Sequence, residues 1–384
     1  MFKYLRFYIT PALFLLLLPT VFYGGWWLWF PVLVISLVMI VGDAITGNDY
    51  SKPEYKYTFL LNLPLYLTLP VCLLALSILL WYSQTGNQDF LNLGYLMSNL
   101  MDRNVFALRE ETKWYHLIGA GLTVGFVTGG YGINVAHELT HRTWDQFAVI
   151  WGRWILAVSN STDFSVEHVY GHHETVGTLE DPATARRGEN VYKFILRSWL
   201  GSIKNSWKLE TNRLRKLNKP IFSHHNQVIR GHLMSIVFVA IFFYFGGWVG
   251  LGLYFLQAFW ARTLLEIVNY MEHYGLVRIP GAPVEPKHSW NTNRRISSLI
   301  LFSLTRHSAH HEKGDLPFWV LDPYKEAPEM PYGYLTTIYI CMIPPLWYKV
   351  INPRLKVWDE KYANPEERKL LETYYKTKKY KMAA

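Results

Sequence analysis

The sequence contains few cysteines and few charged residues. Of its 384 residues only Cys72 and Cys341 are cysteines, and they lie far apart in apolar stretches. This scarcity argues against a disulfide framework and against a thiolate metal site, so any redox chemistry would not use sulfur. Charged residues make up 17% of the chain and hydrophobic residues 51%. Because this balance is unusual for a soluble protein, it favours a membrane protein.

Nucleotide and nucleic-acid motifs are also lacking. The net charge of +9 would suit nucleic acid, but no nucleic-acid module is recognisable, and anionic lipid or an acidic partner protein explains the charge equally well. Gly119, Gly121 and Gly125 resemble a dinucleotide fingerprint, but the last spacing is wrong and the run is apolar. Close helix packing is the better interpretation of these glycines. We expect neither nucleic acid nor a bound nucleotide.

Long apolar runs predict transmembrane helices, each of which needs roughly 20 residues. Two shorter runs joined at Gly24 and Gly25 predict an opening hairpin, and a run broken at Gly246 and Gly247 predicts a second one. The six predicted spans cover about residues 8–24, 26–42, 57–83, 115–136, 232–246 and 248–270. The expected fold is an all-α integral membrane protein of a single domain, residues 1–384.

The distribution of basic residues predicts the orientation of these spans. With the N-terminus inside, 34 of the 38 Lys and Arg residues fall on one side of the membrane. Since Lys and Arg concentrate in cytoplasmic loops, both termini are predicted to lie in the cytoplasm, with the chain in an inner membrane. Residues 137–230 and 271–350 would form a cytoplasmic cap, followed by a basic tail, 351–384.

Nine of the 14 histidines fall into three short clusters and one isolated position, all on the predicted cytoplasmic side. These are His137 and His141; His168, His172 and His173; His307, His310 and His311; and His273. On a helix, residues three or four apart share one face, so their imidazoles can reach one metal ion. The others show no ligand spacing and are expected to be ordinary hydrogen-bonded residues: His116, His224, His225, His232 and His288.

Nine imidazoles exceed the three or four protein ligands of one zinc ion, so at least two metal ions are implied. Imidazole suits zinc, copper, nickel and iron alike, and spacing alone does not decide among them. A zinc protease would leave about six histidines unused, and a metal transporter would distribute its ligands along the spans. Two iron ions with neutral ligands would suit dioxygen activation, and a site that opens into apolar helices would suit an apolar substrate.

Carboxylates near the histidines are candidate supporting residues. Ligand histidines normally donate their second ring nitrogen to a carboxylate or carbonyl, which fixes the tautomer. Asp181, Glu272 and Glu138 are favoured for this role, and Glu266 and Glu167 are further candidates. A surface salt bridge explains Glu167 equally well. Alternatively, one of these carboxylates binds the metal directly.

The clusters also resemble the motifs of a known family. The matching segments are His137-Glu138-x-x-His141-Arg142, Glu167-His168-x-x-Gly171-His172-His173, Asn269-Tyr270-x-Glu272-His273-Tyr274-Gly275 and Arg306-His307-x-x-His310-His311. They are similar to the membrane alkane monooxygenases, part of a histidine-box superfamily that includes fatty-acid desaturases, hydroxylases and xylene monooxygenase. The resemblance extends from the first spans to about Lys349. The opening hairpin and residues 353–375 also look like xylene monooxygenase.

The resemblance implies a rubredoxin-dependent monooxygenase. In such an enzyme the nine histidines bind two irons, and rubredoxin, reduced by a rubredoxin reductase, supplies electrons. One atom of O2 is placed on the terminal carbon of an n-alkane within the membrane lipid. Hydroxylation of an aromatic methyl group is the alternative, and desaturation or hydroxylation of a fatty acid is a more remote one. Basic candidates for docking the donor are Arg186, Arg187, Lys376, Lys378, Lys379 and Lys381; a solvated or lipid-facing tail explains the lysines equally well.

Overall fold

A computed structural model describes residues 2–376, within which every regular element is helical. Helices α1 to α7 are Phe2–Leu5, Ile9–Leu17, Phe30–Thr46, Phe59–Tyr66, Thr68–Tyr82, Leu93–Met101 and Val105–Glu111. Helices α8 to α13 are Trp114–Phe126, Asn134–His141, Gln146–Val158, Phe164–Glu167, His173–Thr175 and Val191–Lys216. Helices α14 to α19 are Gln227–His273, Arg295–Ile300, His307–Glu312, Tyr334–Cys341, Pro344–Val357 and Pro365–Lys376. Three π-helical segments are Val127–Ile133, His168–His172 and Trp358–Tyr362.

Three helical stretches of the described range are long and apolar enough to cross a membrane, namely Lys3–Tyr23, Phe59–Tyr82 and Gln227–His273. Helices α3 and α10 are apolar but shorter. The chain is therefore a membrane protein, while the count of six spans and the cytoplasmic orientation stay predictions. Helix α10 lies in the region that the sequence assigns to the cytoplasmic cap, yet it packs against α5, α9 and α14.

Helix α14 is a hairpin of two helices. Gly247 adopts a φ of +57°, a conformation that glycine tolerates without strain. The ring of Phe242 lies 5.3 Å from that of Tyr254, whereas twelve residues of straight helix would separate them by about 18 Å. The chain therefore reverses at the glycine pair where the sequence predicts a turn. That each half crosses a bilayer stays a prediction.

Small residues bring α8 and the π-helical segment after it against the second half of α14. A Cβ atom on Gly125 would lie 2.6 Å from the carbonyl oxygen of Gln257, and one on Gly129 would lie 2.7 Å from Cα of Ala261. Only glycine permits such close approach of two helices. A Cβ atom on Gly121 would likewise lie 2.5 Å from a side-chain carbon of Leu256, so the interpretation of Gly121 and Gly125 as helix-packing residues is confirmed.

Candidate metal centre

Four segments deliver the nine clustered histidines to one buried region. Helix α9 carries the first pair, and the rings of His137 and His141 lie 4.9 Å apart on one face. The π-helical segment His168–His172 and the start of α12 carry the second cluster, and α16 carries the third. His273 is the last residue of α14. Eight of the nine are buried, and His173 is partly exposed.

The π-helical turn decides how the second cluster is divided. The His173 N–H donates to the carbonyl oxygen of His168, five residues earlier, as in a π-helix. His168 and His173 therefore meet, with their Nε2 atoms 3.1 Å apart. His172 points elsewhere, and its Nε2 lies 3.3 Å from Nε2 of His311.

The histidines form two adjacent groups. The five-histidine group consists of His137, His141, His168, His173 and His310, whose ligand atoms lie within 4.8 Å of one another. The four-histidine group unites two such sets that share His273; its members are His172, His273, His307 and His311, with Glu272 beside them. The rings of His173 and His311 stack at 4.5 Å where the two groups meet.

The donor atoms of these groups suit metal ions. The Nε2 atoms of His310 and His173 lie 3.0 Å apart, and those of His273 and His307 lie 3.1 Å apart. Nε2 of His137 and Nε2 of His141 are buried without a hydrogen-bond partner among the described residues. Ring nitrogens that face one another in this way direct their lone pairs to common points, where a borderline-soft divalent ion would bind.

Burial keeps most of these imidazoles in the form that binds metal. It lowers the pKa of His168 and His310 well below the usual 6.5, and neighbouring histidines lower it further. Burial, with His172 nearby, lowers the pKa of His173 to about 3. Neutral imidazole is the metal-binding form of histidine.

His172 is supported by a buried carboxylate. Its Nδ1 lies 2.9 Å from Oδ2 of Asp181, which also accepts a hydrogen bond of 2.6 Å from the Thr184 hydroxyl. The Ala183 N–H donates to the other carboxylate oxygen. Burial lowers the pKa of His172, but the charge of Asp181 outweighs it and leaves the pKa above its usual value. Asp181 therefore lies within hydrogen-bonding distance of His172, and its role in supporting a metal ligand stays a prediction.

Glu272 lies beside the four-histidine group. Its Oε2 is 3.2 Å from Nε2 of His307, and its Oε1 accepts a hydrogen bond from the hydroxyl of Tyr334. Both carboxylate oxygens are therefore engaged, one with a tyrosine and one with a histidine. No sequence pattern indicated Tyr334, because it belongs to none of the histidine motifs and lies 62 residues from its partner.

The other candidate carboxylates belong to buried networks. Glu138 accepts a 2.8 Å hydrogen bond from Arg142, and Glu266 accepts hydrogen bonds from Arg262 and Asn269. Glu167 is only 2% exposed, so it is not part of a surface salt bridge, and it accepts a hydrogen bond from Asn205. Burial and the nearby Asp181 raise the pKa of Glu167 to about 8.

The remaining histidines lie outside both groups. Nε2 of His288 is 2.8 Å from Glu367 of α19, and Nδ1 of His116 accepts a hydrogen bond from the Lys113 N–H. His224 is exposed beside His225.

One of the basic residues considered for docking is part of the interior. Arg187 is buried, donates twice to Asp359 and donates through Nε to the carbonyl oxygen of Gly275. Its guanidinium therefore holds the end of α14 against the C-terminal helices and is not a docking group. Lys378, Lys379 and Lys381 lie outside the described residues, as does the side chain of Lys376.

Two further residues, Arg306 and Gly314, constrain histidines of the third and second clusters. Arg306 donates hydrogen bonds to the carbonyl oxygens of Leu321, Asp49 and Ser51, which fixes the start of α16. Gly314 lies so close to His173 that a Cβ atom there would be 2.8 Å from Cε1 of the ring.

An apolar cavity lies beside the histidines. Its volume is about 100 Å³. Its apolar lining comprises mainly Phe14, Met39, Phe126, Tyr131, Phe164, Leu264, Leu265, Val268, Ile300, Leu304, Leu335 and Ile338. His137, His168, His307 and Glu272 also line it. Two of the lining residues on α14, Leu265 and Val268, are partly exposed.

Comparison with known proteins places this geometry in a family context. Residues 112–340 match the Fatty acid desaturase family. The chain is 40% identical to alkane 1-monooxygenase 1 of Pseudomonas aeruginosa over 68% of its length and 69% of the relative. It is 33% identical to alkane 1-monooxygenase 2 of the same organism over 90% of its length and 87% of the relative. It is also 28% identical to the xylene/toluene monooxygenase hydroxylase component XylM of Pseudomonas putida, over 95% of its length and 93% of the relative.

Proposed function

Since this chain belongs to the alkane 1-monooxygenase family, whose members are oxidoreductases, we propose that it hydroxylates the terminal carbon of n-alkanes. The reaction consumes one O2, two electrons and two protons, and it yields one 1-alkanol and one water. The observation that carries the proposal is the convergence of nine histidines, in two groups, beside an apolar cavity that three of them line.

We assign one iron ion to each histidine group. The five-histidine group would hold the first ion, and the four-histidine group, with Asp181 behind His172, would hold the second. Bound iron would supply the activation of dioxygen, the step that side chains cannot perform. Asp181 fixes the tautomer of His172, so that Nε2 carries the lone pair directed toward the metal.

The cavity would bind the hydrocarbon. The free energy of binding becomes more favourable by about 0.8 kcal/mol for each methylene that the apolar lining removes from water. His137, His168 and His307 line the cavity, so a bound substrate would present a methyl group to these histidines. The partly exposed Leu265 and Val268 support entry from the lipid beside α14. The apolar walls would also keep bulk water away from the reacting carbon.

We further propose rubredoxin as the electron donor. The whole sequence has two cysteines, Cys72 and Cys341, and both are buried as free thiols. Residues 1–384 cannot supply the four thiolates of a rubredoxin-type iron site, so in this proposal the electrons reach the histidine groups from an iron site outside these residues. Among the nine clustered histidines, His173 is partly exposed. Its ring therefore lies near the surface, where such a carrier would dock.

The test is turnover by the purified full chain in lipid nanodiscs, with reduced rubredoxin and either octane or para-xylene under ¹⁸O2. Products are analysed by gas chromatography with mass detection, and metals by plasma emission. About two irons per chain and 1-octanol with one ¹⁸O atom are expected. His310→Ala should abolish product, whereas His224→Ala, which removes an exposed histidine outside both groups, should not.

Other outcomes would redirect the assignment. Methylbenzyl alcohol without octanol would move the substrate to aromatic methyl groups, in keeping with the similarity to the xylene/toluene enzyme. Zinc as the sole metal, with no oxygen-dependent product from either substrate, would overturn the monooxygenase proposal.

A further inference from the structure

A series of buried hydrogen bonds links the apolar helix α3 to the four-histidine group. Oδ1 of Asp43 accepts hydrogen bonds of 2.9 Å from the N–H groups of Ile296 and Ser297, at the start of α15. The hydroxyl of Ser297 donates to Oδ2 of the same carboxylate. That hydroxyl oxygen in turn accepts a 3.0 Å hydrogen bond from the N–H of Tyr334. Through Ser297, Asp43 of α3 therefore fixes the backbone of Tyr334, the first residue of α17.

The series ends at the metal-binding side chains. The hydroxyl of Tyr334 donates to Oε1 of Glu272, and Oε2 of Glu272 lies 3.2 Å from Nε2 of His307. One ligand atom of each of Glu272, His273 and His307 lies within 4.8 Å of the other two. Asp43, Ser297, Tyr334 and Glu272 are each less than 5% exposed. Water therefore offers these groups no ready substitute partner.

The steric fit around Asp43 is as close as the hydrogen bonding. A Cβ atom on Gly333, the residue before Tyr334, would lie 2.0 Å from Oδ2 of Asp43. The backbone of residue 333 can approach the carboxylate only because it has no side chain. Tyr334 consequently has little freedom to move away from Glu272.

We propose that Tyr334 is a positioning residue of the four-histidine group, whose hydroxyl holds Glu272 so that Oε2 faces the metal position shared by His273 and His307. Asp43 and Ser297 act through Tyr334 by fixing its backbone. The inference rests on the proposed function to the extent that a metal ion binds at this group. Groups that orient metal ligands typically contribute about 10- to 100-fold to metal affinity when tested by substitution.

The experiment is a cobalt(II) titration of the metal-free full chain in nanodiscs, followed by d–d absorption and by calorimetry. The wild-type chain should bind two ions. Tyr334→Phe removes one hydroxyl and should weaken one of the two ions about 10- to 100-fold, leaving the other unchanged. Tyr339→Phe is the matched control, because it removes a hydroxyl from the same helix, where it bonds to Ser36 2.8 Å away. Equal affinities in Tyr334→Phe and Tyr339→Phe would overturn the inference.

Further variants test the same linkage, and Ser297→Ala does so without Tyr334→Phe. Ser297→Ala removes the acceptor of the Tyr334 N–H and should weaken the same ion several-fold. In a Glu272→Gln background, Tyr334→Phe or Ser297→Ala should cause no further loss, because the oriented carboxylate is already gone. Additive losses would contradict the proposed linkage.

The titration needs neither alkane nor donor, so it separates this inference from the proposed function. Two bound ions, the expected effect of Tyr334→Phe and no hydroxylated product would refute the hydroxylase proposal alone. A wild-type chain that binds no ion at the four-histidine group would refute the role of Tyr334.

Discussion

Nδ1 of His172 lies 2.9 Å from Oδ2 of Asp181, and both side chains are buried. Because Nδ1 is engaged by the carboxylate, Nε2 is the ring nitrogen that faces His311, 3.3 Å from its Nε2. The carboxylate is itself held by the Thr184 hydroxyl and the Ala183 N–H. The loop that follows the second histidine cluster therefore fixes the orientation of the His172 side chain.

Asp181→Asn tests this support. The amide keeps the volume but loses the negative charge, so His172 should be oriented less firmly and the second ion should bind about 10- to 100-fold more weakly. Metal content after dialysis and calorimetric titration would measure the change. Glu210→Gln is the control, since Glu210 is another buried carboxylate, paired with Arg213 away from the histidines. Unchanged metal affinity in Asp181→Asn would show that the carboxylate does not orient the ligand.

Gly314→Ala tests the close packing of Gly314 against the five-histidine group. The added methyl would meet Cε1 of His173 at 2.8 Å and Nδ1 at 2.9 Å, so the ring must shift by several tenths of an ångström. Metal geometry tolerates deviations of only about 0.5 Å. We expect loss of most of the metal bound by this group and little change in melting temperature, measured by metal analysis and circular dichroism. The control Gly252→Ala places a methyl in open space and should leave metal content intact.

The histidine set could be predicted from the sequence because ligand spacing within a helical turn is a local property. His137 and His141 needed only the helical repeat. The division into two groups could not be predicted, because the π-helical turn at His168–His172 rotates His172 and His173 toward different groups. A single wide turn leaves no clear mark in the residue pattern.

Long-range partners were equally beyond the sequence. Tyr334 and Glu272 meet through packing of α17 on α14, and no local pattern predicts which tyrosine reaches a given carboxylate. Asp43 did offer a signal, since a charged residue beside an apolar run usually has a specific partner. The hairpin turns were predictable for the opposite reason: Gly24 and Gly247 adopt positive φ, which requires a residue type that the sequence displays directly.

The attachment of α19 should depend on pH through Glu367. Burial raises the pKa of this carboxyl, but hydrogen bonds from His288, the Asn364 N–H and Lys287 outweigh it and leave the pKa below the usual 4.5. Since the folded form binds the proton more weakly, the attachment is strongest above pH 4.5 and weakens as pH falls through the lowered pKa.

Limited proteolysis across this pH range would measure the detachment. Cleavage within α19 should increase on acidification in the wild-type chain, whereas Glu367→Gln should be cleaved readily at every pH. Glu366→Gln, which changes the exposed neighbour, should behave as wild type. A wild-type cleavage rate that does not change with pH would contradict the assignment.

Gly130 should limit the length of alkane that fits the cavity. It lines the cavity within the π-helical segment, and an added Cβ atom would meet only the ring of Phe126, at 3.6 Å or more. A larger side chain there would occupy substrate space without a backbone clash. Gly130→Leu adds four carbons, so the preferred alkane should shorten by about three or four carbons, with each excluded methylene reducing kcat/KM about 4-fold. Competition assays with a mixture of C6 to C16 alkanes would measure the shift, and Gly252→Leu, in open space outside the cavity lining, should retain the wild-type profile. A uniform fall in activity across all chain lengths, with iron content unchanged, would show that Gly130 does not border the bound chain, because only a side chain inside the substrate path discriminates by length.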